Sequence, residues 1–182
     1  EIGATEGSLR RNESMVIKNM LLLGKVLVAD ILTTRDEVMA ISADYSVDQV
    51  MKEQKLLRFT RTPVFSGNLD NIVGVVHRFR IMEAASRDHD SLLIRELMTS
   101  VEFVHEDLSV AQVLDQFILK NRHLFIVLDD QNRMTGIVTL EDAIETLLGV
   151  EIVDEMDSIA AMRRYAQEIH KKRQDQIKLG AD

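Results

Sequence analysis

The stretches 44-DYSVDQVMKEQ-54 and 107-DLSVAQVLDQF-117 decide how the chain is organised, because they are two copies of one pattern. The residue types Asp, Ser, Val, Gln and Val recur in the same order and at the same spacing in both. In each copy a serine precedes apolar residues at helical spacing, which predicts a helix with a serine N-cap and one buried face. A repeat of this length indicates a duplicated structural unit.

The sequence on both sides of this pattern repeats as well. Upstream, 31-ILTT-34 matches 97-LMTS-100, and downstream 72-IVGVVH-77 matches 134-MTGIVT-139. The downstream pair has alternating β-branched residues and follows a shorter apolar run, which is the pattern of a β-hairpin. Each unit therefore predicts the element order β-α-β-β-α.

The opening strand of each unit is predicted at 37-EVMAIS-42 and 101-VEFVH-105, and the closing helix at 79-FRIMEAA-85 and 141-EDAIETLL-148. Turn residues for the two hairpins are Gly67-Asn68 and Asp130-Gln131-Asn132. One such unit is too small to cover its own sheet. We therefore expect an α+β fold in which the two repeats pack sheet against sheet around a pseudo-two-fold axis.

The predicted organisation has four parts. Helical spacing over 8-SLRRNESMVIKNML-21 and a charged pattern with a sparse apolar stripe up to Leu179 predict a helix on each side of the repeats. The predicted boundaries are a connector helix at 1–25, a first repeat at 26–88, a second repeat at 89–150 and a charged helix at 151–182.

Composition excludes several functional classes. The 182 residues carry a net charge of −8 without a long basic stripe, so a nucleic-acid surface is not indicated. With no cysteine, disulfide and thiolate chemistry are excluded. No apolar run approaches the roughly 18 residues of a membrane span. Because the sequence starts at Glu1 rather than at a methionine, we expect it to be a piece of a longer protein.

The duplicated unit, with "LMT" ahead of a strand and "GxVTxxD" ahead of the last helix, resembles a tandem pair of CBS domains over residues 26–149. The segment 147-LLGVEIVDEMD-157 is similar to the exit from the second CBS motif in CorC/CNNM-like, hemolysin-related proteins. That resemblance implies a regulatory module on the cytosolic face of a membrane protein for magnesium or cobalt transport. It also implies a transmembrane domain upstream and a homodimer formed through CBS pairs.

The resemblance further implies an adenine-nucleotide site, for ATP with Mg²⁺ or for AMP, in the cleft between the repeats. The Thr-x-x-Asp motif of the second repeat would hold the ribose and phosphates through Thr139 and Asp142, with Glu141 beside them. The first repeat would contribute the residues at its "MT" and "Y-x-R-x-P" positions, which are Thr33, Phe59, Arg61, Thr62 and Pro63.

The residue chemistry fits this role, but it also fits a simpler one. A carboxylate can accept hydrogen bonds from two vicinal ribose hydroxyls, and Arg61 can donate to a phosphate oxygen. A helix N-terminus favours phosphate, and Phe59 can pack on adenine. Thr139 followed by Asp142 is equally the pattern of a helix-capping box. The alternative is therefore a ligand-free CBS dimerisation module with a structural role only.

The first repeat departs from the motif, because Arg80 stands where the second repeat has Asp142. An arginine has no acceptor for ribose hydroxyls, so one nucleotide site per chain is predicted. His77, His89, His105 and His123 have no metal-ligand spacing and are predicted to be structural or surface histidines, and His89 and His105 are expected to lack partners. No nucleophile–base constellation or P-loop is present, so the sequence indicates a binding module rather than an enzyme.

Overall fold

The computed structural model describes residues 16–148, which contain most of both predicted repeats. A helix over 16–22 matches the end of the helix predicted at 8–21, whose start lies outside the described residues. The predicted charged helix at 151–182 also lies outside them. The predicted domain boundaries remain predictions, since the structure alone does not assign them.

The described residues of the first half, from residue 16 onward, contain four α-helices, four strands and two 3₁₀ turns. In order these are α1 (16–22), α2 (Val28–Ile31), β1 (Thr33–Thr34), a 3₁₀ turn (Arg35–Glu37), β2 (Ile41–Ser42), α3 (Val47–Lys52), a 3₁₀ turn (Gln54–Leu57), β3 (Arg61–Ser66), β4 (Asn68–His77) and α4 (Arg78–Ser86).

The second half repeats this order with fewer irregularities. Its elements are α5 (Ile94–Leu97), β5 (Glu102–His105), α6 (Val110–Lys120), β6 (Leu124–Leu128), β7 (Met134–Thr139) and α7 (Leu140–Leu148).

Both predicted serine caps are confirmed. The Ser46 hydroxyl accepts the N–H of Gln49 at 3.3 Å, and the Ser109 hydroxyl accepts the N–H of Gln112 at 3.2 Å. Each glutamine side chain in turn accepts the N–H of its serine, which completes a reciprocal capping box. The duplicated pattern thus encodes the same helix start twice.

The strands form two sheets. One has the order β1-β7-β6-β5 and the other β2-β3-β4. The hairpins β3–β4 and β6–β7 are antiparallel, whereas β2–β3 and β5–β6 are parallel. Gly67 takes the left-handed conformation at φ 78° in the first hairpin turn and Asn132 does so at φ 58° in the second, as their residue types predicted.

The predicted strand over 37–42 is wrong for most of its length. Only Ile41 and Ser42 are in β2, and Arg35–Glu37 form a 3₁₀ turn instead. The reason is that β1 belongs to one sheet and β2 to the other, so the chain between them must cross over. An ion pair between Arg35 and Asp70 of the first repeat holds the start of this crossing.

The opening segments of the repeats are exchanged between the two halves. Thr33 and Thr34 pair with Ile137 and Gly136 of β7, whereas Thr99 forms a bridge with Val75 of β4. Helices α2 and α5 follow the same rule. The N–H of Val28 donates to the Leu108 carbonyl, and the N–H of Ile94 donates to the Tyr45 carbonyl. Each half is therefore completed by the chain that leads into the other.

Three apolar clusters support this arrangement. In two of them, the helices of one half pack against the outer face of the sheet of that half. The cluster of the second half contains the stacked rings of Phe117 and Phe125, whose centres lie 4.3 Å apart. The third lies between the sheets and is centred on Ile72, Leu124, Ile126 and Met134. The predicted α+β fold with two repeats packed sheet to sheet is confirmed.

Candidate functional site

Thr139 and Asp142 lie together where β7 passes into α7. One carboxylate oxygen of Asp142, Oδ2, accepts the Thr139 N–H at 2.9 Å and the Thr139 hydroxyl at 2.6 Å. The N–H of Asp142 points back to the same hydroxyl at 3.3 Å. Asp142 is only 7% exposed, whereas Glu141 lies at the surface. The predicted capping box therefore exists, and it fixes the position of the carboxylate.

Thr33 reaches the same sheet through the exchanged strand β1. It lies directly opposite Ile137 of β7, two residues before Thr139. Side chains on one strand alternate between the faces of a sheet, and paired residues share a face. Because Ile137 belongs to the cluster between the sheets, Thr33 and Thr139 also face the opposite sheet. The structure thus brings Thr33, Thr139 and Asp142 to one region.

The first-repeat residues divide between the two faces of β3. Phe65 packs in the cluster between the sheets, so Arg61 and Pro63, at alternating positions, lie on that face. Thr62 is 3% exposed and lies opposite Val76, which packs in the helix-side cluster. Arg61 and Pro63 therefore share the inter-sheet face with Thr33 and Thr139, whereas Thr62 lies on the other face.

Phe59 precedes β3 and is half-buried. The guanidinium of Arg58 lies 5.9 Å from the centre of its ring. This distance is at the limit of a cation–π contact, so one face of the ring is already near a cation. We refer to the region between Thr33 and Thr139 on one sheet, with Asp142 at the start of α7, and Arg61 and Pro63 on the other sheet as the first cleft.

A cavity of about 150 Å³ lies in the pseudo-symmetric position, which we call the second cleft. It is lined by Arg61 and Val75 of the first half and by two stretches of the second half, 99–102 and 121–124. Arg61 alone of the eight predicted nucleotide-binding residues lines it. Arg61 therefore lines the second cleft, which the sequence did not indicate.

The junction of β4 and α4 is the first-repeat equivalent of the junction that carries Thr139 and Asp142, but its side-chain chemistry is different. His77 ends β4, and its Nδ1 accepts the N–H of Phe79 at 3.1 Å, so a histidine caps this helix. Burial lowers the pKa of His77, and the nearby charges of Arg61 and Arg78 lower it further. The imidazole is therefore held in its neutral form, which has the lone pair that the cap requires.

A histidine and two aspartates meet at the far end of β5. His105 Nε2 lies 3.1 Å from a carboxylate oxygen of Asp130, and its Nδ1 accepts the Asp107 N–H at 3.2 Å. The expectation that His105 lacks partners is wrong, because the hairpin turn carrying Asp130 folds back over the strand end. Ligand atoms of the three residues lie within 4.8 Å of one another, but the Nδ1 lone pair is already engaged. The simplest role is to hold the turn.

A matching family profile accounts for this architecture. The CBS-domain profile matches residues 28–87 and 94–149, which include both hairpins and both helix starts described above. The chain belongs to the CBS-domain family. Its two matches make it a tandem CBS pair, as the duplicated sequence predicted.

Several similar proteins are hemolysin-related or belong to the UPF0053 group. A UPF0053 protein of Synechocystis is 27% identical over 97% of this chain and 50% of its own length. Hemolysin C of Brachyspira hyodysenteriae is 29% identical over 82% of this chain and 54% of its own length. The chain thus spans about half the length of these relatives.

A solved structure is similar across most of the CBS pair. It is the CBS domain of a bacterial CNNM/CorC family Mg²⁺ transporter in complex with ATP, with a TM-score of 0.70 and 28% sequence identity. The match covers 75% of this chain and 97% of that one. The predicted likeness to the CorC/CNNM-like, hemolysin-related family is confirmed. No helix within residues 16–148 has the length and apolar character needed to cross a membrane.

Proposed function

We propose that this CBS pair binds an adenine nucleotide in the first cleft and acts as the regulatory module of a CorC/CNNM-like membrane transport protein. The observation that carries the proposal is the buried Asp142 carboxylate, held by Thr139 on a sheet that faces Arg61 and Pro63. The similar CBS domain that was solved with ATP supports the choice of ligand class.

The chemistry of the first cleft suits a nucleotide in three respects. The Asp142 carboxylate is an acceptor-only group, which is the chemistry that ribose hydroxyl donors require. Arg61 supplies a cation for the phosphates, and its guanidinium has no hydrogen bond or ion pair to any residue within 16–148. Phe59 and Pro63 provide apolar surface near the start of β3 for the base.

The regulatory step would be a shift between two arrangements of the repeats. A nucleotide that contacts both repeats stabilises the arrangement in which both sets of contacts are made. The coupling to a transport domain is limited by the difference in nucleotide affinity between the arrangements, typically about 1–3 kcal/mol. This role places the module on the cytosolic face of the membrane, where ATP and AMP are available.

We also propose that the module works as a homodimer. Exposed apolar side chains lie on the two equivalent helices that close the repeats, and they are Phe79 and Met82 on α4 and Ile144 and Leu148 on α7. Apolar groups repeated on related helices favour a second copy as the partner. Sedimentation equilibrium measures this directly, and a monomer at micromolar concentration would contradict it.

Calorimetric titration with ATP, ADP and AMP, each with and without Mg²⁺, tests the nucleotide site. We expect binding by the unmodified chain and an affinity about 10- to 100-fold lower in Asp142→Ala, because a charge-assisted hydrogen bond is lost. Asp115→Ala, which removes an exposed acid from α6, is the matched control for net charge and should bind normally.

The ligand-free alternative also has an observation in its favour, since Asp142 caps α7. Both interpretations expect Asp142→Ala to lose about 1 kcal/mol of stability. Only the nucleotide interpretation expects binding heat, and it expects that heat to fall in this variant but not in Asp115→Ala. If no nucleotide gives any heat with the unmodified chain, the first cleft has a structural role alone.

A further inference from the structure

We propose that the second cleft binds a small inorganic oxyanion of the phosphate or sulfate class. From the sequence we predict no ligand for this cleft and expect only that a nucleotide does not bind there in the same manner. The inference rests on the charge, size and donor groups of the cavity, and it does not depend on nucleotide binding in the first cleft.

The lining of the second cleft has an excess of positive charge. Arg61 and Arg122 contribute two guanidinium groups, and the one acid among the lining residues is Glu102. Glu102 is already paired with Lys120 at 2.8 Å, and Lys120, followed by Arg122, lowers its pKa. Counting Lys120 with the lining, three cations face one carboxylate. An anion is therefore the ligand that this charge distribution favours.

The two arginines can still donate hydrogen bonds. Arg122 uses one N–H to donate to the Ser100 hydroxyl at 3.1 Å, which fixes its position but leaves other guanidinium donors. The guanidinium of Arg61 makes no hydrogen bond or ion pair within residues 16–148. Planar guanidinium groups with unused donors match the oxygen geometry of phosphate and sulfate. The hydroxyl of Ser100 and the amide of Asn121 add neutral polar groups to the same wall.

Size selects a small anion rather than a nucleotide. The cavity of about 150 Å³ far exceeds the roughly 10–15 Å³ that a single water needs. It is well below the roughly 300–1,000 Å³ of sites that enclose larger organic ligands. In addition, Arg80 replaces the acid that would accept ribose hydroxyls. Both the volume and the residue types therefore favour the anion without a nucleoside.

Titration of the whole chain with sodium phosphate, followed by ³¹P NMR line width and by thermal unfolding, tests this proposal. Sodium chloride at matched ionic strength controls for screening of surface charges. We expect saturable binding by the unmodified chain and at least about tenfold weaker binding in Arg122→Ala, since a charge-assisted donor is lost. Arg87→Ala removes an exposed arginine that follows α4 and should bind phosphate normally.

Two further variants keep the outcome interpretable. Arg122→Lys retains the charge but not the planar fork, so we expect intermediate affinity, and it protects the test if Arg122→Ala does not fold. Asp142→Ala should keep phosphate binding, which separates this site from the first cleft. No saturation above the chloride control, or equal losses in Arg122→Ala and Arg87→Ala, would overturn the proposal.

A final arm distinguishes a free oxyanion from the phosphate of a nucleotide. AMP is titrated into Asp142→Ala, in which the proposed nucleotide site is expected to bind about 10- to 100-fold more weakly. We expect the part of AMP binding that depends on Arg122 to be no tighter than phosphate binding, because the cavity is too small to enclose a nucleoside. Tighter binding of AMP that depends on Arg122 would overturn the restriction to a free oxyanion.

Discussion

The two repeats share one backbone plan, but they begin their closing helices with opposite chemistry. At α7 a threonine and an aspartate cap each other, and Glu141 adds a second acid to the first turn. At α4 a neutral histidine is the cap, and Arg78 and Arg80 occupy the first turn. Acids at a helix N-terminus are favoured by the helix dipole, whereas cations are disfavoured. The first repeat thus carries an electrostatic cost at α4.

This difference indicates that the duplicated backbone accommodates either acidic or basic side chains at the start of the closing helix. The side chains at this position can therefore differ between the two clefts. In both repeats the first residue of the helix donates its N–H to the chain just before the preceding hairpin, Arg78 to Thr60 and Leu140 to His123. The backbone junction is therefore conserved between the halves while the side chains differ. An acid suits sugar hydroxyls, and a basic cluster suits an anion.

The largest effect is expected from alanine substitution of Gly136 and Gly74, the two glycines that lie against the exchanged segments. A Cβ on Gly136 would collide with the Thr33 carbonyl oxygen and would lie 2.8 Å from Leu32 Cδ1. A Cβ on Gly74 would lie 2.7 Å from Sδ of the flexible Met98 side chain and 2.8 Å from the Thr99 carbonyl oxygen. We expect Gly136→Ala to lower the free energy of unfolding by roughly 3 kcal/mol and Gly74→Ala by roughly 1–2 kcal/mol. Chemical denaturation measures both.

Gly24→Ala is the control for these substitutions, because no atom lies within 4 Å of its added Cβ. Its unfolding free energy should change by less than about 0.5 kcal/mol. If Gly136→Ala changes the unfolding free energy as little as Gly24→Ala does, the close approach of β1 to β7 does not exist in solution.

A smaller effect on stability is expected when the pH is lowered and His77, the cap of α4, is protonated. The folded pKa of His77 lies below its ordinary value of 6.5, so the folded state resists protonation more than the unfolded state does. The stabilising contribution is present above pH 6.5 and is lost as the pH falls through the folded pKa. We expect His77→Asn, which keeps a capping group, to reduce the loss of thermal stability below pH 6.5 by up to about 1 kcal/mol.

His89→Asn is the matched control, since His89 is exposed and follows α4. Its pH profile should follow that of the unmodified chain. Identical profiles for all three proteins would contradict a capping role for neutral His77.

The smallest effect is expected from a substitution that removes the electrostatic difference between the starts of α4 and α7. Arg80→Asp places an acid in the first turn of α4, at the position that Asp142 has in α7. We expect a gain of about 0.5 kcal/mol in unfolding free energy at low ionic strength, decreasing with added salt. Thermal unfolding at two salt concentrations measures this gain, and Arg87→Asp at the other end of the helix should not reproduce it.

Much of the fold was predictable because its determinants are local. Ser46 and Ser109 define helix starts through contacts three residues away, and Gly67 and Asn132 define turns through their own conformations. The exchange of β1 was not predictable in this way. Its two residues pair with β7 about a hundred positions later, and no local pattern distinguishes that strand from a pairing within its own repeat.

The candidate site shows the same division. The reciprocal bonds of Thr139 and Asp142 follow from their spacing, so the sequence located them correctly as a capping pair. Which face of β3 carries Arg61 and which carries Thr62 depended on the register of β3 against β4 and on which face meets the other sheet. The partners of His105 likewise come from a turn that only the folded hairpin brings near.

The sequence by itself determined the duplication, the caps, the turns and the residue types available to each cleft, because these depend on neighbours along the chain. Tertiary structure alone decided that each half is completed by the segment leading into the other, and that Arg61 lines the second cleft. Those features arise when two sheets pack face to face. Contacts between them are set by strand register and pleat, which bring together residues that are distant in sequence.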